Sequence, residues 1–178
     1  MKRVIVGVLA VLAMVALVGC GEAATPQKVS GGSDGSKAQA ATKTEKYKIG
    51  DTVKIGDVQV KLNKVLKLKN TEFEKPQDSN NMFVAVDLTV TNTSSEAQAV
   101  SSLLQLSVKD ADGYAASQSF HSKAKPMPEG ELAPGAKASG QVVYEVAKKA
   151  KGLELVYDAS LLGTGQVVWT VGDAAKIK

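Results

Sequence analysis

The sequence predicts an all-β sandwich, and three observations lead there. Several short runs between residues 47 and 172 alternate apolar with polar side chains, the period of a half-buried strand. Gly, Pro, Asn and Asp punctuate these runs at regular intervals, as turns require. Past the first 20 residues, no stretch offers a convincing amphipathic helix.

The strands follow in order. Tyr47, Ile49 and Val53 belong to strand-like residues broken by a Gly50-Asp51 turn. Val58, Val60 and Leu62 alternate with Gln59, Lys61 and Asn63, and the phase slips at Val65-Leu66, as a bulge would make it. Residues 70–81 form a polar loop containing Pro76. The strongest strand is 82–92. Met82, Val84, Val86, Leu88 and Val90 share the face predicted to meet the core; Phe83, Ala85, Asp87, Thr89 and Thr91 share the other. Asn92-Thr93-Ser94-Ser95 reads as a turn, because Asn tolerates the left-handed conformation. The same residues match a glycosylation sequon, read here as turn chemistry.

Leu104, Leu106 and Val108 alternate with Gln105, Ser107 and Lys109, then stop at Asp110-Ala111-Asp112-Gly113, a hairpin marker. Residues 119–130, with Pro126 and Pro128, form an extended connection. Pro134-Gly135 suits the centre of a type II turn. Gly140, Val142, Tyr144 and Val146 make the face of a further strand. Leu153, Leu155 and Tyr157 make another, and Val167, Trp169 and Val171 make the last.

The N-terminus has a different character. Lys2 and Arg3 precede an uncharged apolar run over residues 4–18, the layout of a secretory signal peptide. The run is too short for a bilayer, which takes about 20 apolar residues. Gly21, Glu22, Ala23 and Ala24 supply no basic stop-transfer flank. The run closes on Leu17-Val18-Gly19-Cys20, which contains the only cysteine. An aliphatic residue three before a cysteine, behind a signal-like segment, resembles the lipobox of bacterial lipoproteins. Val18 departs from it mildly, since Ala or Ser is commoner there. The resemblance implies that Leu17, Val18 and Gly19 are read by the signal peptidase. It also implies that the chain is cut before Cys20 and that Cys20 carries a diacylglyceryl group, with palmitate among its acyl chains. Each buried CH₂ contributes about 0.8 kcal/mol, and two chains hold where one is marginal. The expected location is the extracytoplasmic face of the cell membrane, lipid-anchored.

Residues 21–45 are rich in Gly, Ser, Ala, Thr, Gln and Lys, with Val29 the single large aliphatic residue. Such a stretch cannot offset its chain entropy by burial, so a disordered tether is expected. About 26 residues of this kind span on the order of 30 Å. The chain thus divides into a lipoprotein signal peptide (1–19), a lipidated Cys20 with its tether (20–46), a sandwich domain (47–172) and a C-terminal tail (173–178).

The formal charge of +4 falls to +2 once Lys2 and Arg3 leave with the signal. That gives weak attraction to anionic lipid heads or cell-wall polymers and no nucleic-acid signature. Lys148-Lys149-Ala150-Lys151 is the one dense basic cluster and reads as a solvated turn. With no cysteine after Cys20, the exported domain is stable on its core alone, and its length suffices for one.

Two stretches resemble a known family. Phe83-Val84-Ala85-Val86-Asp87-Leu88-Thr89-Val90-Thr91-Asn92 is one. Leu132-Ala133-Pro134-Gly135-Ala136-Lys137-Ala138-Ser139-Gly140-Gln141-Val142-Val143-Tyr144-Glu145-Val146 is the other. Both are similar to the Telokin-like domain-of-unknown-function family of bacterial lipoproteins, related in fold to an immunoglobulin-like, immunoprotective secreted mycobacterial antigen. Over residues 47–172 the resemblance implies an immunoglobulin-like antiparallel β-sandwich and brings no catalytic residues. The immunoglobulin cysteine pair is missing, so only the architecture carries over.

Catalytic chemistry finds few residues. His121 is the only histidine, and neither Ser119 nor Ser122 lies in a nucleophile elbow, so an exposed loop histidine is expected. With Cys20 lipidated, no cysteine nucleophile and no His/Cys zinc set remain. Asp78, Asn80, Asn81, Asp110 and Asp112 are the best oxygen ligands, and antiparallel strand order places their two loops at one end. Calcium wants six to eight oxygens, and Asp110-Ala111-Asp112-Gly113 is a fragment of a calcium loop, so exposed turn residues are expected, Asp78 and Asp112 among them. No metal and no cofactor are expected. Phe120, Met127 and the nearby prolines form an apolar loop that either touches a partner or plugs the core.

The leading reading is a non-catalytic binding module on a lipid anchor, its partner an envelope protein or cell-wall polymer and not nucleic acid. A structural or accessory envelope lipoprotein without a small ligand comes second. An extracytoplasmic hydrolase comes last.

Overall fold

The computed structural model describes residues 26–30, 45–159 and 165–178. Leu17, Val18, Gly19, Cys20, the signal segment and most of the 20–46 stretch lie outside the described residues. Among the described residues, no helix is long and apolar enough to cross a membrane.

Strands dominate: β1 (Gln27–Ser30), β2 (Lys46–Lys48), β3 (Thr52–Ile55), β4 (Val58–Leu68), β5 (Asn81–Asn92), β6 (Gln98–Val100), β7 (Leu106–Lys109), β8 (Ser117–Ser119), β9 (Gly130–Leu132), β10 (Lys137–Ala147), β11 (Leu153–Asp158) and β12 (Gln166–Gly172), with a one-turn helix α1 (Ser102–Gln105). One sheet has the order β1-β3-β4-β5-β10-β8, a second β2-β12-β11-β7, and β6 pairs with β9. Pairing is antiparallel except between β2 and β12. Residues of both large sheets fill one core, from Val53, Val60, Leu62, Val86 and Leu88 on one side to Leu155, Val167 and Trp169 on the other. The molecule is the expected β-sandwich.

The chain changes sheets at a corner between β2 and β3. Gly50 takes φ +98, a conformation open to glycine, and donates its N–H to the Leu62 carbonyl at 2.7 Å. The Asp51 carboxylate accepts the Lys48 N–H at 2.9 Å and fixes the turn.

A bulge decides what the six-stranded sheet does with its outer face. The β4–β5 register shifts between Leu62 and Lys64, leaving Asn63 as the extra residue. Before it, Val58, Val60 and Leu62 face the core. After it, the parity reverses. Val65 packs on the core, while Leu66 and Leu68 turn outward to meet Phe83, Ala85, Val143 and Ala124 in a second apolar cluster. The sequence places the phase slip two residues later, at Val65-Leu66. It also assigns Phe83, Ala85 and Asp87 to the face away from the core, and all three are nonetheless buried. Residues 120–125 supply the cover.

Other departures have local causes. Leu104 is 63% exposed and belongs to α1, not to a strand. The Gln105 Oε1 accepts the Ser101 N–H at 2.8 Å, and this closes a helical turn that delays β7 to Leu106. Asn92 makes its turn through its side chain, because no described non-glycine residue has positive φ. Its buried Nδ2 donates to the carbonyls of Glu96 and Leu132, and its Oδ1 accepts the Ser94 N–H. Within the stretch expected to be disordered, Gln27–Ser30 pairs with β3, held by its backbone and by Lys28, whose Nζ lies 3.1 Å from Asp51. A ladder at an open edge needs no apolar side chains, which composition does not register. Residues 173–178 return to the domain: Ala174 is buried, and Lys67 donates its N–H to the Lys178 carbonyl.

Gly140 is where residues 126–128 lie against β10. A Cβ there would meet the Pro126 carbonyl oxygen at 2.0 Å and the Pro128 nitrogen at 2.9 Å. Gly140→Ala should therefore destabilise the domain by about 1–3 kcal/mol, as overpacking does. Urea unfolding measures it, and an unchanged midpoint would contradict this packing.

Candidate binding site along the β8 edge

β8 ends the six-stranded sheet, and two clefts meet on it. Gln118 and Ser119 line both. Gln118 is held rigidly, its Nε2 donating to the Ser102 and Leu106 carbonyls at 2.9 and 3.2 Å.

The first cleft, about 340 Å³, is polar. Gln77, Asp78 and Asn81 line it from the β4–β5 loop, Asp110 and Tyr114 from the β7–β8 turn, and Glu145 from β10. The two acidic loops thus do come to one end of the sandwich. Their carboxylates are largely committed to their own turns. Asp78 Oδ1 accepts from the Asn80 N–H and side-chain amide, and Asp110 Oδ1 accepts the N–H of Asp112 and Tyr114. Glu145 accepts the Gln77 N–H at 3.0 Å. Asp78, Asn80 and Asp112 are exposed; Asp112 and Asn80 do not line the cleft. Among the described residues, no three His, Cys, Asp or Glu side chains converge as a metal site.

The second cleft, about 550 Å³, is mostly apolar and runs over the outer sheet face. Phe120, Pro126, Met127, Ala124 and Val143 line it, with Lys125 and Gln141 as polar neighbours. Phe120 is 78% exposed and Met127 47% exposed, so the loop does not plug the core.

His121 corrects the expectation of an exposed histidine. It is 2% exposed and stands edge-on to Phe83, ring centroids 5.0 Å apart. Its Nε2 is 3.1 Å from the Lys69 carbonyl, which only accepts, and its Nδ1 accepts the Lys123 N–H at 3.2 Å. The partners assign the neutral Nε2–H tautomer. Glu74 lies 3.7 Å from Nδ1 and binds the Ser122 N–H and hydroxyl, each at 2.8 Å. Those Ser122 bonds, joined by one from Thr71, hold the Glu74 carboxyl below its usual range against partial desolvation. The histidine therefore clamps the loop onto the second apolar cluster. Nothing in its sequence neighbours signals this, because Phe83 and Lys69 are distant in the chain.

Beneath the cleft lies a buried polar group. Burial pushes the Asp87 carboxyl upward, but hydrogen bonds from Asn63, Gln141 and Lys125 outweigh it and hold the group below the usual carboxylate range. Asn63 Nδ2 and Gln141 Nε2 each stand 3.0 Å from Asp87, and Lys125 Nζ stands 3.3 Å away. The bulged residue of β4, β10 and the cleft loop thus share one carboxylate.

The family described as a domain of unknown function, DUF4352, matches residues 47–168. No curated protein matches the sequence. Among solved structures, the yjhA protein of Bacillus subtilis superposes with a TM-score of 0.57 at 18% identity, covering 70% of this chain and 98% of its own. A candidate lipoprotein of Bacillus subtilis gives 0.54 at 17% identity over 76% of this chain, which spans only 40% of that protein's length. The secreted Mycobacterium tuberculosis protein MPT63 gives 0.50 at 11% identity, covering 73% of this chain and 99% of its own. At these identities the likeness is one of fold.

Because the folded-state pKa of Asp87 is depressed, its contribution to stability is present above the ordinary carboxylate range and is lost as pH falls through the folded value. Melting temperature should drop on acidification from about pH 5 towards pH 3, and less steeply in Asp87→Asn. At neutral pH that variant, which leaves buried amide donors facing one another, should lose about 1–3 kcal/mol. Equal acid slopes for both proteins would contradict the assignment.

Proposed function

The chain belongs to the DUF4352 family, and from that premise we propose that it is a non-catalytic binding module, lipid-anchored through Cys20 on the extracytoplasmic face of the cell membrane, whose partner is an envelope protein. The anchor reading rests on Leu17-Val18-Gly19-Cys20 behind the charged and apolar N-terminus. The one histidine has both ring nitrogens committed to holding a loop, which favours binding over catalysis.

The binding reading rests chiefly on the meeting of the two clefts at Gln118 and Ser119, with the exposed Phe120 and Met127 on the apolar rim. Apolar concavity with a few fixed polar groups is the usual form of a ligand site. A polypeptide fits both halves. An apolar side chain enters between Met127 and Phe120, while the amides and carboxylates of Gln77, Asp78 and Glu145 meet polar groups along the same segment.

An anilinonaphthalene sulfonate dye serves as the probe of the apolar half. The mature chain should bind it saturably at one site, and Phe120→Ser with Met127→Glu should weaken binding at least tenfold without lowering the melting temperature. Equal binding by both proteins would refute the cleft as the site.

A further inference from the structure

The register of β1 fixes the end of the domain over which the chain before it leaves. Gln27 pairs with Lys54, Lys54 with Gln59, Gln59 with Thr91, and Thr91 with Lys137, so these residues form one row across the sheet. Just beyond that row lie the Gly56-Asp57 turn, Thr93, whose N–H donates to the Asp57 carbonyl, and Gly135, whose N–H donates to the Asn92 carbonyl. The opposite end carries residues 78–80 and the turn at Lys148, whose N–H donates to the Asn80 carbonyl. The polar cleft opens there, with Tyr114 exposed on its rim.

β1 runs antiparallel to β3, so the chain traced back from Gln27 leaves over the Gly56-Asp57 turn. Six residues, 21–26, lie between Cys20 and Gln27 and make seven Cα–Cα steps. Whatever their conformation, they reach at most about 25 Å. β5 alone, with 12 residues, is about 40 Å long. While β1 is paired, the tether is too short to pass back along the sheet to the cleft end.

Resting on the lipid anchor proposed above, we propose that β1 is an orienting strap: paired with β3, it turns the face formed by Asp57, residues 93–95 and Pro134-Gly135 to the bilayer, and presents the polar cleft outward to a partner beyond the membrane surface. The strap's hold is modest and specific. Gln27, Lys28 and Val29 are exposed, so it consists of the backbone ladder and the Lys28–Asp51 ion pair. Asp51 also fixes the β2–β3 corner, which ties strap to domain through one carboxylate.

The test uses the full lipidated chain in vesicles containing an acceptor-labelled lipid. Cys20 is the only native cysteine, and thioether-linked lipid leaves its sulfur unreactive, so one introduced cysteine carries the donor dye. Ser95→Cys and Ser79→Cys mark the two ends, both at exposed positions. Energy transfer should be at least twofold higher from position 95 than from position 79. Gln27→Pro with Lys28→Pro removes whichever of two successive N–H groups points at β3, along with the ion pair, and should abolish that difference while the melting transition persists. Vesicle-bound protein with equal or reversed transfer would overturn the orientation and leave the anchor standing. A difference that survives the double proline variant would overturn the role of β1. Failure of the unmutated chain to stay on vesicles would overturn the anchor, and the orientation with it.

Discussion

One extra residue in β4 determines how this sheet is used. If Asn63 took a regular ladder position instead of bulging, strand parity would send Leu66 and Leu68 to the core side, away from Phe83, Ala85 and Val143 on the outer face. With the bulge, the outer face gains an apolar half that needs a cover. The loop after β8 provides one, pinned by His121 on Phe83 and on the Lys69 carbonyl. Asn63 is also a direct ligand of Asp87, which Lys125 of the same covering loop approaches. Bulge, buried carboxylate, clamp and apolar cleft therefore meet on one face of the sheet.

The consequence for binding is that exposed apolar side chains stand over a floor of paired strands. Val143, Gln141 and Asp87 belong to long, fully paired strands. Phe120 and Met127 stand exposed on a segment anchored through His121, Ser122, Lys125 and the Pro126 carbonyl, which accepts the Gln141 N–H. Sites of this form place function on a loop that a stiff scaffold positions. The short β8, rather than a long open edge, ends the sheet, which limits indiscriminate strand pairing there.

Much of the fold was legible because alternation is a strong local signal. The core face of β5, the turn at Gly135 and the turn at Asp110 all follow from residues close in sequence, although β7 and β8 on either side of Asp110 join different sheets instead of pairing as a hairpin. What was hidden depends on contacts between distant segments. The burial of Phe83 and Ala85 needs the loop 37 or so residues on, and His121 looks solvent-facing until Lys69 is placed beside it. Alternation also misled at Leu104, where the Gln105 side chain favours a helical turn over extension. The pairing of Gln27–Ser30 was hidden because backbone ladders at an open edge leave no mark on composition. The site was half visible. Parity brought the Asp78 and Asp110 loops together, whereas the apolar cleft required the loop's path.

The clamp can be read directly from the nitrogen chemistry of the single histidine. Long-range ¹H–¹⁵N correlation of the His121 ring at neutral pH should show one neutral tautomer, protonated at Nε2, with the ring N–H protected from solvent exchange. Averaged tautomers and a rapidly exchanging N–H would mean an exposed loop histidine. The second apolar cluster would then lack its cover, and this account of the cleft would fail.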